Sequence, residues 1–549
     1  MNKTLCFLAA ALMGVATMMA QPPVEGTSII QEKDTVWGFG VEGINLYSRP
    51  MHRIDIAYDT KDPENKPCRM SGVIIIPKDV YDGEQICDGM VLMHHYTQMA
   101  KKDAPSRGQN LGEDMVLANP LSPNYIMVLP DFYGFGITED KDQWFCFGTA
   151  NAHSSLDCLL AAQELLRERG IEQGKFLINA GYSSGGYDAI ATQKVRDMEY
   201  RDKVSFDRTV VGGMPFDLKE AYYYFVQHKD QFWRIFGLLM IVDSYNQHAN
   251  LGFTAEQMLK PPYAEKFDEW MRSGKYTTLD IVNETQGKKI SDIIQEPFLT
   301  YGSEEYKNME QALKAQALEN DWEPDPTQKY SVFHLFKDTT VPVSSDRMLL
   351  SFLSRYQYKD GQPNPFKKSI IPELTNLSTN FIMQDKDHSM VGGLLYHIGL
   401  AATLTALPVL YYDGELNTHY ADLIKGLTPM ELVKNLDEKY NLKAMIKEKM
   451  EGGSGSTDIF SLIAQITKTA NGYLEPYELE FTDVLTMADD SGLSLADILQ
   501  IYSYLTTPDE PLNKVNRVEK VKAEDEPQLT PFLTDYYINY LTNWYQNAK

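Results

Sequence analysis

Gly181-Tyr182-Ser183-Ser184-Gly185 constrains this chain more than any other feature. It directly follows a short apolar run at residues 176–179, which reads as a buried strand, and precedes a plausible helix from Gly186. A serine at a strand-to-helix elbow sits in a strained turn, and glycines two residues away on each side leave room for it. The helix then points its N-terminus at the serine, so the backbone N–H of Ser184 is a natural donor to a developing oxyanion. The spacing selects Ser183 over Ser184, because Tyr182 would occupy a position that the second choice needs to be Gly.

The surrounding text has the grammar of a mostly parallel, doubly wound sheet. Strands are expected at residues 54–58 and 70–77, with Asp62-Pro63-Glu64-Asn65 as the turn between them. More are expected at 90–93, 125–129, 176–179 and 209–211, with a helix over 156–169 ended by Gly170. From 216 to about 328 the alternation stops, and aromatic-rich helical stretches replace it. Strands resume at 332–336 and 380–383. The expected organisation is therefore a leader at 1–20, a core at 21–215, a helical cap at 216–328, the rest of the core at 329–406, and a helical C-terminal extension at 407–549. Gly452-Gly453-Ser454-Gly455-Ser456 reads as a flexible linker in that extension. Its Asn471-Gly472 and Asp489-Asp490-Ser491-Gly492 segments lack the oxygen ligands of a calcium loop.

A serine hydroxyl needs a base to take its proton and a carboxylate behind that base. In chains with such an elbow the order is Ser, acid, His. Six histidines follow Ser183: His228, His248, His334, His388, His397 and His419. His388 stands in a polar loop after the strand at 380–383, where a late base belongs. His228 and His248 fall in the cap, His334 inside a strand as a structural residue, and His397 in a helix. Asp338 directly follows the strand at 332–336 and supplies the acid; Asp346, Asp385 and Asp387 are its competitors. The second oxyanion donor is expected from His94-His95-Tyr96-Thr97, with Tyr96 or Thr97 giving the backbone N–H and His94 packing beneath the site.

These residues resemble the secretory lipases and cap-bearing esterases of the α/β-hydrolase superfamily. The likeness runs from about 53 to 406. It rests on Ile54-Asp55-Ile56-Ala57-Tyr58, on Ser71-Gly72-Val73 through Pro77, on Leu129-Pro130-Asp131-Phe132-Tyr133-Gly134-Phe135-Gly136, on the serine elbow, on His334-Leu335-Phe336-Lys337-Asp338 with Val341-Pro342, and on Asp387-His388. It implies an α/β-hydrolase fold, a triad of Ser183, Asp338 and His388, and a cap over the acyl pocket. Leu335 stands where that group usually has Gly, and His95-Tyr96 where it has His-Gly. The activity expected is carboxylic ester hydrolysis, with no metal or organic cofactor and with a small-molecule, lipid or acylated-sugar ester as substrate. A peptidase on the same scaffold and a non-catalytic binding protein are the rival readings.

The formal net charge of -25 argues against nucleic acid as a partner, since each phosphate contact needs a Lys or Arg. Lys3 followed by the apolar run at 5–15 reads as a cleavable signal peptide, cut after Ala20 or after Ala16. The run is too short to span a bilayer, so an exported, soluble protein is expected. Removing the leader takes away Cys6 and leaves Cys68, Cys87, Cys146 and Cys158. The simplest pairing in an oxidising compartment is Cys68 with Cys87 and Cys146 with Cys158, with free buried thiols as the alternative.

Overall fold

The structure, a computed structural model, describes residues 26–41, 44–107, 124–231, 234–335, 338–342, 345, 348–349, 352–353, 377–381, 388, 392–412 and 415–416. The expected leader at 1–20, the expected linker at 452–456 and the helices expected beyond 416 lie outside these residues. The chain divides into two compact units. One comprises Met1–Ala118, Asn124–Thr209 and Met214–Pro324; the other comprises Asn119–Pro123, Val210–Gly213 and Asp325–Lys549.

The first unit opens with three antiparallel strands, β1 (Ser28–Val41), β2 (Ile44–Lys61) and β3 (Pro67–Pro77). The turn between β2 and β3 follows from its residues. Asp62 Oδ1 accepts the amides of Glu64 and Lys66, each at 2.9 Å, and Asn65 takes the left-handed conformation with φ 63°. β2 is much longer than the expected 54–58, and β1 was not expected at all. The first half of β1 is exposed, so no buried face imprints an alternating pattern on its sequence.

β4 (Gly89–His94), β5 (Tyr125–Pro130) and β6 (Phe176–Tyr182) extend this sheet, whose order begins β1-β2-β3-β5-β4-β6. β4 pairs parallel with both β5 and β6. Every residue of β4 and β5 is buried, which is why these strands read as uninterrupted apolar runs. Two helices accompany them, α1 (Ala152–Glu168) and α2 (Ser184–Glu199). β7 (Arg208–Gly212) follows, buried throughout.

Among the described residues the chain then forms no strand until β8. Its main helices are α3 (Leu218–Gln227), α4 (Phe236–His248), α5 (Tyr263–Arg272) and α6 (Glu304–Ala315). Local chemistry starts them: Asp217 caps α3 by accepting the Glu220 amide at 2.9 Å, and Ser303 caps α6 by accepting that of Tyr306 at 3.1 Å. Helix α5 buries Tyr263, Ala264, Phe267 and Trp270, the one-sided spacing of an amphipathic helix.

In the second unit β8 (Tyr330–His334) pairs parallel with β9 (Leu377–Phe381), and the Gly213 amide donates to Phe333 O at 2.8 Å. Both strands lie slightly earlier than the expected 332–336 and 380–383. Helix α7 (Gly393–Leu410) packs on β8. A Cβ on Gly399 would stand 2.3 Å from the Phe333 ring, so only glycine allows that approach. No helix among the described residues is long and apolar enough to cross a membrane.

Of the two alternatives for the cysteines, disulfides or free thiols, the structure shows free thiols. Cys68, Cys87, Cys146 and Cys158 are all free thiols. Each is committed to its own surroundings: Cys87 Sγ donates to Gly89 O at 3.4 Å, while Cys158 points from α1 toward Gly72 of β3.

The serine elbow and an Asp–His pair

β6 ends at Tyr182, α2 begins at Ser184, and Ser183 forms the corner with φ 57° and ψ −126°. A non-glycine residue there stores strain of order 1–3 kcal/mol and persists only when its surroundings enforce it. They do. A Cβ on Gly181 would lie 2.1 Å from Gly185 O, and one on Gly185 would lie 2.2 Å from His94 O. Both flanking glycines are thus required by close backbone approach. Helical bonding starts with Gly186 and Tyr187, whose amides donate to Ser183 O at 3.0 and 3.2 Å. The amides of Ser184 and Gly185 precede that first bond, at the positive end of a 16-residue helix.

Beside the elbow runs the loop leaving β4. Thr97 Oγ1 donates to Ser184 Oγ at 3.1 Å, in buried surroundings. His95 Nδ1–H donates to Tyr96 O at 2.8 Å, and its Nε2 lies 3.3 Å from Asp131 O. His94 donates through Nε2 to Asn179 Oδ1 at 2.9 Å. Burial pushes His94 down to about 3 and lowers His95, although the bonds to Asn179 and to the Tyr96 and Asp131 carbonyls oppose it. Both are neutral imidazoles at physiological pH, and His94 packs beneath the elbow as expected.

The Pro-Asp-x-x-Gly-x-Gly loop has a structural explanation. Buried Asp131 accepts Ser71 Oγ–H at 2.5 Å and the Ser106 amide at 2.8 Å. A Cβ on Gly136 would fall 2.1 Å from both Asp131 Oδ2 and Ser71 Oγ. The loop motif therefore encodes a polar anchor as well as a turn.

In the second unit, His388 Nδ1 meets Asp338 Oδ2 at 2.5 Å. Asp338 Oδ1 accepts the amides of Thr340 at 2.7 Å and Val341 at 2.9 Å. Burial is the largest single influence on this carboxyl and raises its pKa. The charge and hydrogen bond of His388, the nearby His334 and the Val341 amide outweigh it, so the net shift is downward. The pair therefore matches a carboxylate orienting an imidazole through Nδ1, which leaves Nε2 for proton transfer.

The structure thus joins Asp338 to His388 and Thr97 to Ser184, turns the Tyr96 carbonyl onto His95, and sets Ser183 at the corner. Other histidines have other partners. His228 Nδ1 lies 2.8 Å from Tyr224 O, His248 stacks on Trp144 at 3.8 Å, and His397 is buried and pushed down to about 4. The residue passed over by the sequence reasoning is His334, whose Nε2 lies 3.0 Å from Val341 O and 3.5 Å from Asp338 Oδ2. A histidine four residues before the acid was the available signal.

No protein-family model and no curated protein matches the chain. Solved structures do. A crystal structure of a protein described as a putative hydrolase, from Legionella pneumophila subsp. pneumophila, is similar at 18% identity and TM-score 0.56, covering 72% of this chain and 100% of that one. The rice cell wall degrading esterase LipA from Xanthomonas oryzae is similar at 16% identity and TM-score 0.55, covering 71% of this chain and 98% of that one. The chain has the α/β-hydrolase fold.

Proposed function

We propose that this protein is a serine carboxylic ester hydrolase working through Ser183, His388 and Asp338. The observation that carries the reading is the backbone of Ser183, held at φ 57° and ψ −126° between a buried strand and a 16-residue helix. A fold keeps such strain where a side chain must be presented for chemistry. The bonded His388–Asp338 pair, downstream in the order acid then His, supports it, as does the esterase likeness.

In this mechanism Ser183 Oγ attacks the ester carbonyl carbon while His388 Nε2 takes its proton. The carbonyl oxygen gains the electron pair and is stabilised by the Ser184 N–H and a second amide from Tyr96 or Thr97. The side-chain bond of Thr97 to Ser184 favours Thr97. Collapse expels the alcohol, which takes the proton from His388 and leaves an acyl-enzyme. Water, activated by the same imidazole, then releases the acid. Asp338 orients the imidazole and stabilises its cationic form throughout. Residues 216–328 are proposed as a cap that shapes the substrate pocket, and residues 1–20 as an export leader.

The test is hydrolysis of short- and long-chain p-nitrophenyl esters by the protein and by Ser183→Ala, with aminoacyl p-nitroanilides alongside. Ester turnover that disappears in Ser183→Ala supports the reading. Turnover of the anilides alone moves the protein to the peptidases. Folded protein silent on both removes simple ester hydrolysis as the assignment.

A further inference from the structure

We infer that His334 is a positioning residue for the acid of the triad, an inference that rests on the Ser183–His388–Asp338 reading above. His334 ends β8, held in register by pairing with β9 from Tyr330 opposite Leu377 to His334 opposite Phe381. Its Nε2 lies 3.0 Å from Val341 O. A carbonyl oxygen only accepts, so Nε2 carries the proton and the tautomer is set. The same N–H stands 3.5 Å from Asp338 Oδ2, too long for a good hydrogen bond but close enough to act electrostatically on a fully buried carboxylate.

Asp338 is consequently held from three directions. Its Oδ1 is taken by the Thr340 and Val341 amides, its Oδ2 by His388, and the loop that bears it is tied back to the strand by His334. Among the described residues, His388 and His334 are the titratable groups facing it. Removing the His334 N–H cuts the tie between β8 and the loop from 338 to 341, so the carboxylate drifts from the geometry His388 needs. Oδ2 also loses the positive dipole beside it.

The experiment measures p-nitrophenyl ester hydrolysis against pH for the full chain and for His334→Gln, His334→Asn and His334→Leu, with Ser183→Ala in the same series. A Gln amide reaches close to where the imidazole Nε2–H stood; the shorter Asn amide does not. The expected result is a kcat lowered roughly 10- to 100-fold in Leu and Asn, with KM within about threefold. Gln should recover most of the lost kcat. If Leu does not fold, Gln against Asn carries the comparison. Equal kcat in Gln and Asn, or a Leu variant that loses only thermal stability, overturns the inference. Turnover that survives Ser183→Ala overturns the triad reading itself, and the role assigned to His334 with it.

Discussion

Asp188 lies on α2 five residues after the elbow, and its side chain is buried. Its Oδ1 accepts one hydrogen bond, from Asn151 Nδ2 at 3.2 Å. Burial pushes its pKa up to about 7, against the opposing pull of Asn151. The native state therefore keeps its proton between about pH 4 and pH 7, where the unfolded chain has released it. Stability from this group is present below the unfolded value of 3.8 and is lost as pH rises through the folded value of about 7. The gap of about three pH units, at ~1.4 kcal/mol each, sets the full effect near 4 kcal/mol. Asp188→Asn keeps the shape and can still accept from Asn151, but it never ionises. The variant should match the parent near pH 4 and exceed it by up to about 4 kcal/mol at pH 8, or roughly 5–10 °C in melting temperature. Thermal melts of both proteins at pH 4, 5, 6, 7 and 8 test this, because every other titrating group is shared. A difference that does not grow with pH, or a less stable Asn variant at pH 8, would refute the account.

Other perturbations reach the site. Asp338→Asn keeps the size of the acid but favours the wrong imidazole tautomer, and kcat on esters should drop by roughly 10³- to 10⁴-fold with little change in KM. Gly185→Ala drives a Cβ into the His94 carbonyl, backbone against backbone, and should cost about 1–3 kcal/mol in a melting experiment along with most of the activity. Thr97→Val removes the hydroxyl that donates to Ser184, which should cost about 1 kcal/mol and lower kcat more than it raises KM.

The parts of the fold that could be read in advance were those with a strong one-dimensional signature. The buried strands β4, β5 and β6 are continuous apolar runs, and the elbow is glycine-spaced because backbone atoms pass within about 2 Å of where side chains would stand. Asp338 and His388 were legible from chain order and from the loops that end their strands, and the structure joins them. The first strand was not, since its exposed half carries no buried face. His334 was read as structural because its place inside an apolar strand outweighed the one signal it offered, its spacing of four residues before Asp338. The choice between disulfides and free thiols stayed open for a related reason: an even count says nothing about where the sulfurs point.

The four unpaired thiols among the described residues are poor partners for redox chemistry. Burial lifts Cys68 to about 12 and Cys87 to about 11, and raises Cys146 and Cys158 strongly as well. At neutral pH Cys87 is ionised in only about one molecule in ten thousand, and thiolate is the form that reacts with oxidants and alkylating agents. Among the described residues the fold therefore rests on packing alone, with no covalent cross-link for a reductant to break.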